Sequence, residues 1–294
     1  MNTPFDYEKH FMGVGNIEAR RSGKVKVDRH EYRMYNFLRH ISTLSGAVCD
    51  VGCGGGKFLE QVKQLHPNAQ YFGCDISKTA LALAKETTSG DIQYDLMQPN
   101  GIVPYQENTF DLCLSLDVLE HVEHIEDHIR EIFRVLKPGG KFHACLPCEG
   151  EPFSMTWFYQ KSRMGKNLTY KNWGHIHPEL THKLFFEYVT KAGFLIEKVT
   201  YSYHLPFGIM NFFAFFLPKE LLRLLYGEKA YQFTDAGVIQ KQIQPKAKRG
   251  IMDGVRALWM LVLKIVSLFQ LLDTALFSKF AFSSTEIHIT CRKQ

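Results

Sequence analysis

The chain has 294 residues, 45% of them hydrophobic and 22% charged, with a formal net charge of +5. That composition excludes a disordered or low-complexity chain, and so mild a positive excess does not mark a nucleic-acid binder, so no nucleic acid is expected as a partner. The length is long for one compact domain and short for two, which favours a single domain carrying an insertion.

Residues 1–45 are polar and aromatic, with basic side chains at Arg20, Arg21, Lys24, Lys26 and Arg29, and read as an N-terminal cap. They show no basic stretch followed by an apolar one, so no signal peptide is expected. Apolar residues at Tyr32, Tyr35, Leu38 and Ile41 predict one helical face. Strands and helices then alternate: AVCDV, KFLEQVKQL, QYFGCDI, KTALALAKE, DIQYDL, FDLCLSL, a helix over VEHIEDHIREIFRVL, and GKFHACLP. Such alternation implies a mostly parallel sheet with helices on both faces, an α/β fold. After Pro147 the rhythm breaks into an irregular, aromatic and basic stretch. Thr181 then caps a predicted helix, HKLFFEYVTKAG, and FLIEKVTYSYH and STEIHITCRK read as strands. The core is thus expected at 46–204 and 284–294, with a hydrophobic helical insertion at 205–283. Cys49, Cys113 and Cys145 fall in apolar strand-like runs, where free cysteine acts as a small hydrophobe; a reducing, cytoplasmic location follows as the expectation.

The most specific segment is CDVGCGGGKF, Cys49 to Phe58. A glycine turn between strand and helix serves several nucleotide folds, but the details narrow the choice. The spacing is G-x-G-G-G, and no Lys-Ser/Thr pair ends the loop, which argues against ATP phosphates. Asp50 stands two residues before Gly52, where a carboxylate would repel a pyrophosphate and suit a cation. Asp75 ends the second strand, the position from which a carboxylate grips a ribose diol. A ligand with a ribose, an ammonium and no phosphate satisfies all three, and S-adenosylmethionine is such a ligand. Its carboxylate would meet backbone N–H groups at the helix start.

The run from Val48 to Pro147 resembles the class I S-adenosylmethionine-dependent methyltransferases of the bacterial small-molecule and lipid type. VCDVGCGGG matches the first motif of that family and GCDIS the second. FDLCLSLDVLEHV and EIFRVLKPGGKFHACLP match the fourth strand, its following helix and the fifth strand. The resemblance implies a Rossmann-like sheet of seven strands with an antiparallel last strand. It implies S-adenosyl-L-methionine as cofactor, held by Asp50, Gly52, Cys53, Gly54, Gly56, Asp75 and Ile76. Tyr94, Asp95 and Leu96 would flank the adenine, and Ser115 and Leu116 the methionine side.

Methyl transfer needs a positioned nucleophile and a group to take its proton, at neutral pH usually histidine. The fourth strand delivers DVLEHVEH to the carboxyl edge of the sheet, making His121 the first candidate base and His175 and His177 the second. Helix packing is the competing role for His121, and a plain loop role for the other two. Asp117, Glu120 and His121 resemble an E-x-x-E-H pattern that binds a divalent metal in ubiquinone-pathway O-methyltransferases. The first position here is Asp, one methylene shorter, and no metal is assigned. The fourth strand lacks the Asn/Asp-Pro-Pro-Tyr motif of amide and nucleobase methylation, which favours an oxygen or carbon acceptor on a small or lipid-linked molecule. A dinucleotide oxidoreductase is disfavoured by the loop spacing and Asp50; a catalytically inactive scaffold that still binds S-adenosylmethionine is the other alternative.

The insertion carries Lys241, Lys246, Lys248 and Arg249 ahead of IMDGVRALWMLVLKIVSLFQLLDTALF. At about 100° per residue, Asp253, Arg256, Lys264, Ser267, Gln270 and Thr274 share one arc and apolar side chains fill nearly all the rest, Asp273 excepted. The charges disfavour a spanning helix. A wide apolar face beside a basic run suits a helix lying in an anionic membrane surface, with Trp259, Leu263 and Phe269 entering it. Burial against the domain or in a homodimer is the competing expectation.

Overall fold

A computed structural model describes residues 27–29, 31–98, 101–162, 169–170, 174–216 and 265–294. The basic residues Arg20 to Lys26, the run Lys241 to Arg249, and Trp259 and Leu263 lie outside the described residues. Helix α1 (Tyr32–His40) precedes β1 (Ala47–Val51), α2 (Lys57–Leu65), β2 (Gln70–Asp75), α3 (Lys78–Thr87) and β3 (Gln93–Leu96). Then follow β4 (Phe110–Leu116), α4 (Ile125–Val135), β5 (Leu136–Pro147), α5 (Met155–Lys161), α6 (His182–Lys191), β6 (Phe194–Ser202) and α7 (Leu205–Asn211). Residues 265–277 form a further helix, α8, and β7 (Glu286–Lys293) closes the chain.

The seven strands make one sheet in the order β3-β2-β1-β4-β5-β7-β6. All neighbours are parallel except β7, which runs antiparallel to both β5 and β6. This is the Rossmann-like sheet with a reversed last strand that the sequence resemblance implies.

Alternation along the strands sends apolar side chains to both faces. On β1, Val48 enters a core with Met34, Phe37, Leu59, Val62, Leu81 and Ala84, from α1, α2 and α3. Cys49 and Val51 enter the opposite core, with Ile129 and Ile132 of α4 and Phe185 and Val189 of α6. The chain therefore changes faces between β1 and β4, and the crevice at such a switch point is where sheets of this type bind ligands. All seven cysteines are buried and unpaired, as expected of small hydrophobes. Cys145 and Cys148, spaced as C-x-x-C, both lie fully inside the core.

Thr181 caps α6 as expected, its hydroxyl accepting the Leu184 N–H at 3.2 Å. The helix after β4 begins later than the sequence pattern predicts. Asp117 turns the chain at φ 54° and Leu119–His121 form one 3-10 turn, so α4 starts only at Ile125. That tight corner holds the DVLEHV segment at the sheet edge instead of winding it into the helix.

Candidate active site

The carboxyl ends of β1, β2, β4 and β5 open into one cavity of about 1340 Å³. On one side lies the glycine turn. Gly52 sits at φ 81°, and a Cβ there would stand 2.3 Å from a Val118 methyl. Gly56, at φ 73°, caps α2, and a Cβ there would stand 2.4 Å from the Tyr94 hydroxyl. Both positions thus need glycine for conformation and for space. The turn is tied to β2: Gly52 and Cys53 N–H both donate to the Cys74 carbonyl, at 2.8 and 3.0 Å.

Asp75 is held rather than loose. Its Oδ2 accepts the Gly54 N–H at 2.8 Å and its Oδ1 the Ser77 N–H at 2.9 Å. These bonds fix the carboxylate plane at the cavity wall and keep acceptor capacity on both oxygens, since an ionised carboxylate offers about four lone-pair sites. Asp50 is more deeply buried. Burial first, and the neighbouring Asp75 charge second, push its carboxyl up to about 7. A buried carboxyl raised this far by its surroundings fits a cationic partner, which would restore its charge.

Asp50, Gly52, Cys53, Gly54, Asp75, Ile76 and Leu116 all line the cavity. Gly56 stands just behind the turn, and four expected contacts, Tyr94, Asp95, Leu96 and Ser115, fall off the cavity wall. Tyr94 packs under the glycines with its hydroxyl 3.1 Å from that of Thr88. Asp95 accepts from Gln93 at 2.7 Å and Leu96 is exposed, both off the cavity wall. Ser115 is a buried hydroxyl with no hydrogen-bond partner, also off the wall. On the β3 side the wall is built by Met97 and Ile102, beyond the end of that strand.

The other half of the cavity gathers side chains that are far apart in sequence. His121 donates from Nδ1 to the Gly174 carbonyl at 3.2 Å, which leaves the neutral imidazole's lone pair on Nε2. Burial, followed by the nearby His175, lowers its pKa to about 4, so the ring is neutral at physiological pH. The rings of His121 and His175 meet edge to face at 5.0 Å. His175 Nδ1 donates to Glu149 at 2.6 Å, and Glu149 also accepts from Thr169 at 2.7 Å. Glu120 is only 2% exposed, and neither carboxyl oxygen has a hydrogen-bond partner. Burial holds its carboxyl well above the usual range. Donor atoms of Glu120, His121 and His175 lie within 4.8 Å of one another, a spacing that can hold a divalent cation.

The third histidine separates from this group. His177 Nε2 bonds the Val122 carbonyl at 2.7 Å and its Nδ1 meets Glu179 at 3.1 Å. It lines an adjoining cleft of about 350 Å³ and not the wall that holds His121 and His175. Asp117 is also diverted: it pairs with Arg33 of α1. Glu286, at the start of β7, accepts from the Tyr32 hydroxyl at 2.8 Å and from Ser202 at 3.0 Å. Burial, then the Asp117 charge, raises it to about 8. Arg33, Tyr32, Glu149 and Glu286 stand in no motif; only the fold brings them to the cavity.

Comparison with known proteins agrees with this geometry. A methyltransferase-domain family matches residues 49–144. A ubiquinone biosynthesis O-methyltransferase of Albidiferax ferrireducens is 30% identical over 109 residues, which are 35% of this chain and 42% of that protein. The chain thus aligns with less than half the length of this curated relative. Among solved structures, phosphoethanolamine N-methyltransferase 2 of Haemonchus contortus, in complex with phosphomonomethylethanolamine and S-adenosylhomocysteine, superposes with a TM-score of 0.56. It shows 17% identity over 98% of this chain and 59% of that one. An S-adenosylmethionine-dependent methyltransferase of Mesorhizobium loti gives a TM-score of 0.53 and 16% identity over 89% and 98% of the two chains. These likenesses establish the fold. The matched domain, the sheet order and the glycine turn set against Asp75 agree with the resemblance to class I S-adenosylmethionine-dependent methyltransferases over residues 49–144.

Proposed function

We propose that the chain transfers a methyl group from S-adenosyl-L-methionine to an oxygen or carbon atom of a small-molecule or lipid-linked acceptor. The observation that carries this reading is the two-part cavity. One half offers the glycine turn, Asp75 and the raised Asp50 carboxyl; the other offers the neutral His121, with the ring of His175 beside it. Bound S-adenosylmethionine supplies a methyl group already activated on sulfur. The chain's own residues have the remaining tasks. Asp75 would hold the ribose hydroxyls, Asp50 the ammonium, and the amides at the start of α2 the carboxylate. His121 Nε2 would take the acceptor's proton, with His175, fixed by Glu149, beside it. The acceptor would be met at a membrane surface; a homodimer through the apolar segments is the competing arrangement.

Calorimetric titration with S-adenosylhomocysteine and with NAD tests the cofactor assignment: the first should bind and the second should not. The same titration has a pH signature. Asp50 holds its proton in the free protein below about pH 7, and an ammonium beside it favours the ionised form. Binding near pH 6 should therefore release a proton, seen as a dependence of the heat on buffer ionisation. Affinity should rise with pH until about 7 and level off above it. Flat affinity between pH 5.5 and 8 would contradict the Asp50 role, and tight NAD binding would overturn the cofactor assignment.

A further inference from the structure

Helix α8, residues 265–277, is built inside out. Its polar Asp273 and Thr274 are buried, together with Val266. Leu268, Leu272 and Leu276, one turn apart along one line, face outward; Leu268 is 56% and Leu276 66% exposed. The inward side is pinned. Asp273 accepts from the His204 ring at 3.0 Å and from the His204 backbone at 3.4 Å, and the ring's other nitrogen donates to the Phe280 carbonyl at 2.8 Å. Burial works against the charged imidazole, but the Asp273 carboxylate and that carbonyl more than offset it, and His204 titrates above the usual histidine range. An ordinary surface helix turns its apolar stripe to the core; this one reserves its interior side for an ion pair and presents leucines outward.

The apolar face continues to the cavity. Beyond α8, Phe280 and Phe282 are exposed, Phe282 at 69%. The Phe282 ring lies 5.5 Å from that of Phe153, which lies 5.7 Å from that of Trp157 on α5. Phe153 is held at φ 64°, a conformation bulky residues rarely adopt. The other side of α5, through Met155, Thr156 and Tyr159, lines the cavity, as do Gly208 and Asn211 of α7. An apolar patch thus ends at the mouth of the proposed acceptor site. Large contiguous patches of this kind mark contact with a membrane, a ligand or another protein.

Charge selects among these. The sequence joining α7 to α8, residues 217–264, contains nine Lys and Arg against four Asp and Glu, which equals the whole formal excess of +5. Lys161, over the Trp157 ring at 5.7 Å, and the exposed Lys279 border the aromatic patch. None of the described helices is long and apolar enough to cross a membrane. Outward leucines and phenylalanines beside flanking cations are the attributes of a surface that lies in a lipid interface.

We propose that the outward face of α8, with Phe280, Phe282 and Phe153, seats the protein on an anionic lipid bilayer and brings the cavity mouth to the headgroup region. This rests on the methyl-transfer reading for its purpose but not for its test. The full chain should co-sediment with phosphatidylglycerol vesicles and much less with phosphatidylcholine vesicles, and high salt should reduce binding. Leu272→Glu and Leu276→Glu alter exposed side chains, so each should leave the melting temperature and S-adenosylhomocysteine affinity unchanged. Each should weaken vesicle binding roughly tenfold or more, from the apolar area withheld and the charge added. Equal binding to both lipids would overturn the anionic surface. No binding to either, with S-adenosylhomocysteine still bound, would overturn the proposal and leave methyl transfer standing. A dimer that Leu276→Glu dissociates, without vesicle binding, would assign the face to a second copy. Loss of S-adenosylhomocysteine binding in the unmutated protein would instead count against the methyltransferase reading.

Discussion

Replacing His121 by alanine should lower turnover by about 10²–10⁴-fold, with cofactor affinity nearly unchanged. The Gly174 carbonyl takes the Nδ1 proton at 3.2 Å, so Nε2 carries the lone pair in a cavity wall it shares with Glu120 and His175. A neutral imidazole at this place can accept a proton without first losing one. Alanine also removes the bond to Gly174, and a purely structural role could mimic a catalytic one. His121→Asn separates the two, because its amide can still donate to Gly174 while offering no basic nitrogen. If His121 is the base, both variants lose turnover and the asparagine variant keeps its melting temperature. Recovery of activity in the asparagine variant would assign His121 to packing. Chelator treatment of the unmutated enzyme adds a third arm. Loss of turnover restored by a divalent cation would place a metal among Glu120, His121 and His175 and recast His121 as its ligand.

The two halves of the cavity were unequally legible in the sequence, for physical reasons. The glycine turn and Asp75 are local: a strand, four glycines, a helix and a second strand ending in Asp constrain one another over some twenty-five residues. The sheet follows from the same alternation, including the reversed last strand once the resemblance is granted. The acceptor half is not local. Glu149 and His175 lie in the irregular stretch after β5, and Arg33 and Tyr32 come from α1. No periodicity places such residues beside Glu120. Motif position alone does not separate Asp95 and Leu96 from Met97, the next residue, which lines the wall, or the buried Ser115 from its neighbour Leu116, which also does. His177 stands only two residues from His175 in sequence, but its ring meets Val122 and Glu179 instead of Glu149. On α8 the sequence pattern separated an apolar from a polar arc. It could not say which side faced inward, because Asp273, outside the polar arc, is drawn in by His204, nearly seventy residues away; Thr274 of that arc is buried and Ser267 is exposed.

Asp75→Ala should weaken S-adenosylhomocysteine binding by one to three orders of magnitude, about 2–4 kcal/mol for a pair of charge-assisted hydrogen bonds to the ribose. The structure adds a second contribution. Asp75 accepts the Gly54 N–H at 2.8 Å and the Ser77 N–H at 2.9 Å, so alanine leaves two amides of the binding loops without their acceptor. Part of the lost affinity should then come from a looser glycine turn. Asp75→Asn divides the two effects: its single carbonyl oxygen can satisfy one amide, and its NH₂ group can still donate to a ribose oxygen. It should bind more tightly than the alanine variant and less tightly than the native chain. The same substitution removes a negative charge beside Asp50, whose raised pKa owes its second contribution to Asp75. The pH at which affinity levels off should therefore move below about 7 in both variants, toward the value set by burial alone. Calorimetry across pH 5.5–8 reads both quantities at once. An alanine variant with native affinity would remove Asp75 from the cofactor site, and an unmoved pH midpoint would break its link to Asp50.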